Sequence, residues 1–252
     1  MDAFIIAFSM YSKIPMPRRE WTSKGMKYAI CFFPVVGMVI GLIVELLGWL
    51  LCKFEWKGIF YPCFMTILPI FITGGIHMDG FLDTMDGISS YQTKERRLEI
   101  LKDSNSGAFA IIGGLVYMIL SIGAWSEVSV KSLPVIACSY CLSRAISGFC
   151  LVNFKQARKK GLAATFNDGA DKKTVSVVMV ILGILDIALA FIINPAGALV
   201  LIVLAVITVA FHYYNCMKNF GGITGDLAGF FLQVFELAVI VGCMVCEKAG
   251  VI

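Results

Sequence analysis

Charge is scarce in this chain. Asp, Glu, Lys and Arg make up 15% of its 252 residues, against roughly a quarter in soluble domains. Apolar residues make up 59% and the mean hydropathy is +0.85, which excludes a soluble globular domain. No repeat, low-complexity tract or long polar segment occurs, so 1–252 reads as a single membrane-embedded domain. A secretory signal is not expected either: MDAFIIAFSMYSKIP opens with an acid and lacks both a basic leader and a small-residue cleavage site. Its apolar run is too short to span, and a short N-terminal interfacial helix is expected. The nine cysteines imply no disulfide framework. Cys138/Cys141 and Cys243/Cys246 are C-x-x-C pairs, but both lie in apolar runs without His or basic neighbours and read as small buried hydrophobes.

What is present in abundance is apolar sequence in runs of about 20 residues, each long enough to cross a bilayer as a helix. The expected fold is all-α, a polytopic bundle of about seven transmembrane helices: Tyr28–Cys52, Gly58–Ile76, Gly107–Trp125, Leu133–Phe154, Thr174–Ile193, Ala196–Tyr214 and Leu227–Val245. Asn194-Pro195 between the fifth and sixth is a tight-turn signal. The N-terminal arm and the loops after spans two, four and six carry 16 of the 21 Lys and Arg. The opposite loops carry Lys53, Lys57, Lys131 and Lys248, and Arg144 lies inside a span. This bias places the N-terminus and the three polar loops in the cytoplasm. The net charge of +4 needs no nucleic acid to explain it, since the topology bias and an anionic ligand suffice.

Against this background the segment TGGIHMDGFLDTMDG (Thr73–Gly87) stands out. Asp79, Asp83 and Asp86 are spaced i, i+4, i+7, which places them on one face of a helix. Three like charges so close call for a cation among them. Hard oxygen ligands, with no Cys or second His nearby, favour Mg²⁺ or Mn²⁺ over zinc. Gly74, Gly75, Gly80 and Gly87 leave room for a bulky ligand to approach the backbone. His77, two residues before Asp79, is a candidate general base, phosphate donor or orienting partner of Asp79.

Three polar loops add to this. The first runs from the acidic segment into LKDSNSGAFA (Leu101–Ala110), where Lys102 is a phosphate-capable cation and Ser104, Asn105 and Ser106 offer a helix cap that is also an anion site. The second is KQARKKGLAATFNDGADKK, whose lysines read mainly as topology and headgroup contacts. The third is NFGGITGDLAGFFLQVFE, in which Asp226 either caps the following helix or joins the metal. Glu45, Arg144, Asp186, Gln233 and Glu236 lie within spans, where polar groups are expensive. Arg144 is expected to pair with Glu236 or a substrate phosphate; His212 reads as interfacial. A carboxylate cluster with Mg²⁺ at one membrane face suits transfer of a phosphate-linked group. A carboxylate then takes the proton of an incoming hydroxyl.

The residues resemble the cobalamin synthase family, adenosylcobinamide-GDP ribazoletransferase, nearly end to end. The match includes FSMYSKIPMP (Phe8–Pro17), FPVVGMVIG (Phe33–Gly41) and GGIHMDGFLDTMDGI (Gly74–Ile88). It continues through KDS…GAF (Lys102–Phe109), Arg144, ARKKGLAATF (Ala157–Phe166) and GGITGDLAG (Gly221–Gly229). The H-x-D-G-x-x-D-T-x-D-G and G-G-x-T-G-D segments are its specific parts; Asn105-Ser106 and Ala110 depart from the family pattern. The resemblance implies transfer of the adenosylcobinamide phosphate moiety from adenosylcobinamide-GDP to the ribose hydroxyl of α-ribazole or its 5′-phosphate. GMP is released, Mg²⁺ is the cofactor, and the site faces the cytoplasm from the cell (inner) membrane. Within it, Asp79, Asp83 and Asp86 are assigned to metal, and one of them or His77 to deprotonation. Lys102, Asp103, Ser104, Arg144, Arg158 and Asp226 are assigned to substrate. The expected partners are those two substrates and the lipid bilayer, with a homo-oligomer left open. A CDP-alcohol phosphotransferase shares Asp83-x-x-Asp86-Gly87 but has Ala-Arg where Ser90-Tyr91 stands and carries a later G-x-x-x-D-x-x-x-D missing here. An ion-coupled transporter would place its acids near mid-membrane in paired halves.

Overall fold

Proline, glycine and polar caps divide the apolar chain into helices. In chain order these are α1 (Asp2–Tyr11), α2 (Ser23–Ala29), α3 (Phe33–Lys53), α4 (Phe60–Thr73), α5 (Ile76–Ser89) and α6 (Lys94–Ile100), followed by α7 (Ala108–Glu127), α8 (Leu133–Asn153), α9 (Lys172–Ile193), α10 (Pro195–Asn215) and α11 (Gly225–Lys248). The structure is a computed structural model and describes residues 1–56, 58–158 and 168–252. No strand occurs among them, only an isolated parallel bridge between Gln156 and Ile223. Side-chain oxygens of Thr22, Thr93, Asp171, Asn194 and Thr224 accept first-turn N–H groups. Each satisfies a donor the helix itself leaves orphaned. The Asn194-Pro195 signal is realised directly: Asn194 caps α10 and Pro195 opens it.

Among the described residues, six helical stretches are long and apolar enough to cross a membrane, and they match six of the seven expected spans. The expected second span, Gly58–Ile76, is different. Helix α4 stops after 14 residues, about 21 Å of rise and short of the roughly 30 Å hydrocarbon core. The chain then turns by 100° into α5. Gly74 and Gly75 cause the turn, with φ of +66° and +80°, a left-handed conformation that costs glycine little. The Gly75 N–H donates to the Ile70 carbonyl at 2.9 Å and closes α4. The acidic segment, expected to open a polar loop, is therefore itself a helix.

Helix α8 is the hub, with 17 of its 21 residues buried. It packs against α3, α9 and α11. The approach of α3 depends on Gly37 and Gly41. A Cβ on Gly37 would lie 2.1 Å from the Tyr140 carbonyl oxygen, and one on Gly41 2.3 Å from that of Ala137. Small residues one turn apart bring helices together where lipid offers no hydrophobic drive. Of the six long apolar helices α9 is the least enclosed, and Val177, Ile181, Ile184, Leu185 and Ile192 form part of its exposed apolar surface. Helix α1 lays Ile5, Ile6, Phe8 and Tyr11 into the protein against α2 and α3, so its apolar face is covered by the bundle. All nine cysteines are free. His212 is not interfacial: it is 1% exposed, set between the rings of Phe154 and Phe231 with the Cys216 Sγ 3.6 Å from Nε2.

The close packing of α3 on α8 makes Gly41→Leu destabilising by about 1–3 kcal/mol, the usual range for overpacking. Gly123, on α7 with open space at its Cβ position, accepts alanine with a gain of about 0.5–1 kcal/mol. Thermal unfolding of the two variants in detergent checks the contrast, and equal behaviour would contradict it.

Candidate active site

Helix α5 is wedged between α11 and α7. On the α11 side, a Cβ at Gly80 would lie 2.7 Å from the Asp226 carbonyl oxygen, and one at Gly229 3.1 Å from that of His77. The two glycines face each other's helix, so the backbones nearly touch. On the α7 side, Leu82 and Met85 pack where Gly114 and Gly113 carry no side chain. The glycines of the acidic segment thus serve helix contacts rather than leaving room for a ligand. Gly74 and Gly75 make the bend, Gly80 meets Asp226, and Gly87 meets Phe220.

This wedge brings Asp79 and Asp83 beside Asp226 from the third polar loop. Asp79, Asp226 and Asp86 all lie near enough to repel the charge of Asp83, and Arg158 is the cation opposing them. Arg158 Nη1 stands 3.5 Å from Asp226 Oδ2, with the two side chains 18% and 29% exposed. Its Nη2 donates to the Leu98 carbonyl. Partial burial pulls the Arg158 pKa below its usual value, and Asp226 and Asp83 pull it back; a guanidinium remains cationic throughout. Asp226 does not cap α11, because the Thr224 hydroxyl accepts the Leu227 N–H.

The loops are pinned together over this cluster. The Ala157 N–H donates to the Ile223 carbonyl at 3.0 Å, and the Ile223 N–H to the Lys155 carbonyl at 2.8 Å. Gly222 makes that possible, since a Cβ there would lie 2.4 Å from the Lys155 carbonyl oxygen. From α6, Lys94 donates to the Met217 carbonyl and Arg97 to the Asn219 side chain. The N-terminal arm joins the same end through the Lys13 N–H, which donates to the Ile72 carbonyl at 2.7 Å. Beneath lies a cavity of about 240 Å³ whose polar lining includes His77, Asp79, Gln156, Arg158, Thr224 and Asp226.

The other expected site residues are placed elsewhere. Asp86 accepts the N–H groups of Gly107 and Ala110, the latter at 2.8 Å, and so supplies the anion at the α7 N-terminus from a different helix. Ser104, Asn105 and Ser106 do not cap α7. Asn105 instead turns back on Asp103, with its backbone and side-chain N–H groups both 2.9 Å from Asp103 Oδ1. Those hydrogen bonds, the backbone one foremost, hold the Asp103 carboxyl below its usual pKa. Lys102, Asp103 and Ser104 are exposed and do not line the cavity. Arg144 is 1% exposed and paired with Glu236, which also accepts from Ser143 at 2.8 Å. Glu236 is thus the partner of the two foreseen. His77 is 4% exposed, and its Nε2 has no hydrogen-bond partner. Lys159, Lys160 and Gly161 lie outside the described residues. Residues the sequence did not single out, Tyr11, Gln156 and Thr224, line the cavity; Tyr11 and Thr224 lay inside matched segments, and Gln156 just outside one.

The sequence model of the cobalamin-5-phosphate synthase family matches residues 3–244. The chain belongs to that family. It is 44% identical over 247 residues to an adenosylcobinamide-GDP ribazoletransferase of Lachnoclostridium phytofermentans, covering 98% of this chain and 95% of that protein. Proteins of the same name from Clostridium botulinum (strain Alaska E43 / Type E3) and Clostridioides difficile are 32% and 30% identical. The first alignment covers 92% of this chain and 93% of that relative, and the second 96% of each. No solved structure matches. Membership of the cobalamin-5-phosphate synthase family makes the chain an enzyme, a transferase of cobalamin assembly, and sets aside both the CDP-alcohol phosphotransferase and the transporter readings.

Glu236→Leu strands the Arg144 guanidinium in the apolar bundle and is expected to cost about 3–5 kcal/mol, whereas the Arg144→Met/Glu236→Leu double variant recovers most of it. Unfolding in detergent measures both. A double variant as unstable as the single one would show that the pair is not the reason for the loss.

Proposed function

We propose that this protein joins adenosylcobinamide-GDP to α-ribazole or its 5′-phosphate at the cluster of Asp79, Asp83 and Asp226. The carrying observation is the wedge that sets Asp79, Asp226 and Arg158 around one cavity, with Asp83 beside them, in a chain whose family and relatives bear that reaction's name. In the reaction, the ribose 3′-hydroxyl oxygen attacks the β-phosphate of adenosylcobinamide-GDP. The bond from that phosphorus to the oxygen bridging it to GMP breaks, and GMP leaves. The hydroxyl proton passes to a carboxylate oxygen of the cluster. Arg158, partly buried and forked, pairs with phosphate oxygens as it now pairs with Asp226.

Mg²⁺ fits the donor set by its chemistry. The carboxylates are hard oxygen ligands in excess over the opposing guanidinium. Among the described residues no three His, Cys, Asp or Glu side chains form a ready-made metal site. Such an ion would be held by one or two carboxylates together with substrate phosphates. Asp79 and Asp83 would hold it, while Asp86, both oxygens engaged, anchors α7 behind them. Bound there, Mg²⁺ supplies neutralisation of the diphosphate and stabilisation of charge developing on the leaving phosphate. The basic loops that share this end of the bundle support a cytoplasmic orientation at the cell membrane.

Purified protein in liposomes, given both substrates and Mg²⁺, is expected to release GMP and form the matching cobalamin product, and EDTA to stop it. Asp79→Ala and Asp83→Ala are each expected to lower the rate at least a hundredfold with thermal unfolding unchanged. Wild-type activity undiminished by EDTA would remove Mg²⁺ from the reading, and near-normal turnover in both variants would remove the aspartates.

A further inference from the structure

The cavity has two chemistries. Along α11 its lining runs from Thr224 and Asp226 at the helix start to Leu232, nearly two turns deeper and fully buried. Its apolar wall includes Met10, Tyr11, Phe33, Leu151 and Leu232. Three rings stand together there. Tyr11 and Phe33 have centroids 4.2 Å apart, and the His77 imidazole lies 5.8 Å from Phe33 and 6.2 Å from Tyr11, nearly parallel to the latter at 21°. Ala228, Gly229 and Ser147, also in the lining, present little side chain. The cavity measures about 240 Å³. That is space on the scale of a flat bicyclic ring, and a corrin with its fringe of amides is several times too large.

We infer that this cavity seats the aromatic base of the nucleoside acceptor, while the corrinoid donor reaches the rim only with its diphosphate. The inference rests on the proposed reaction and adds which substrate occupies the buried space. A benzimidazole riboside enters base first. Its ring lies against Tyr11 and Phe33, where stacking on aromatic faces is favourable, with its edge toward His77, and its ribose remains at the level of Asp79 and Asp226. The orphaned Nε2 of His77 finds a partner at last: as an N–H it donates to the free ring nitrogen of the base. A buried donor left unpaired discriminates against rings lacking that acceptor.

The test uses full-length protein in nanodiscs. In calorimetry without donor, wild type is expected to bind α-ribazole saturably. Met10→Trp and Ala228→Leu narrow the cavity from two helices, α1 and α11, and either is expected to raise the acceptor KM at least tenfold with the donor KM unchanged within twofold. Two variants guard against one failing to fold. His77→Ala is expected to erase a preference of tenfold or more for the benzimidazole riboside over its indole counterpart, which lacks the acceptor nitrogen. No α-ribazole binding to the wild type would overturn the inference. So would narrowing variants that raise the donor KM instead, or an indole/benzimidazole preference untouched in His77→Ala. Absence of GMP release by wild type that binds α-ribazole would count against the proposed reaction and leave the base seat standing.

Discussion

The contact on which the site depends is the near-touching of two backbones, α5 at Gly80 and α11 at Gly229. Carboxylates do not gather spontaneously in an apolar bundle, because their mutual repulsion and desolvation both oppose it. They gather here because apolar packing forces their helices together. Phe81 and Phe230 stack at 5.5 Å on the same two helices, and Met78, Phe81, Tyr117 and Phe230 form one buried cluster beneath. Dispersion and close packing thus hold Asp79 and Asp83 against Asp226, and the charge left over becomes a standing demand for a cation.

That wedge needs α5 to leave the direction of α4, and the 100° bend has a local cause in two left-handed glycines. A straight Gly58–Ile76 span would have continued across the bilayer and carried the aspartates out of reach of α11. Asp86 completes the arrangement from the far end of α5. By accepting two N–H groups of α7 it uses a catalytic-looking carboxylate to lock the third wall of the wedge.

Much of this was legible in the sequence, for identifiable reasons. Six spans, the Asn194-Pro195 turn and the Arg144–Glu236 partnership follow from hydrophobic run length, turn chemistry and the cost of a lone buried charge. The i, i+4, i+7 aspartates were rightly placed on one helix. What could not be read were contacts between segments distant in the chain. Thr73-Gly74-Gly75 signals a break but not its angle, and Asp86 is chemically the same residue whether it meets a metal or the N-terminus of a helix 21 residues on. Ser104 to Ser106 looked like a cap because local sequence cannot show that a better anion arrives from outside. His212 shows the opposite error: hydropathy placed it near a helix end, yet Phe154 and Phe231 close over it.

The placement of Arg158 decides how such a cluster of carboxylates is held together. Four carboxylates with no counter-charge would push α5 and α11 apart, against a close packing that is worth only a few kcal/mol. Arg158, tethered by Leu98 and by the Gln156–Ile223 bridge, neutralises Asp226 and leaves Asp79 and Asp83 as the unsatisfied pair. In the proposed reaction a diphosphate arriving with its cation would then be received without rearranging the helices. The cation would answer Asp79 and Asp83, and the phosphate would compete with Asp226 for a guanidinium already oriented and partly desolvated. On that reading the charge imbalance is part of the recognition, because it favours a substrate that brings its own positive charge.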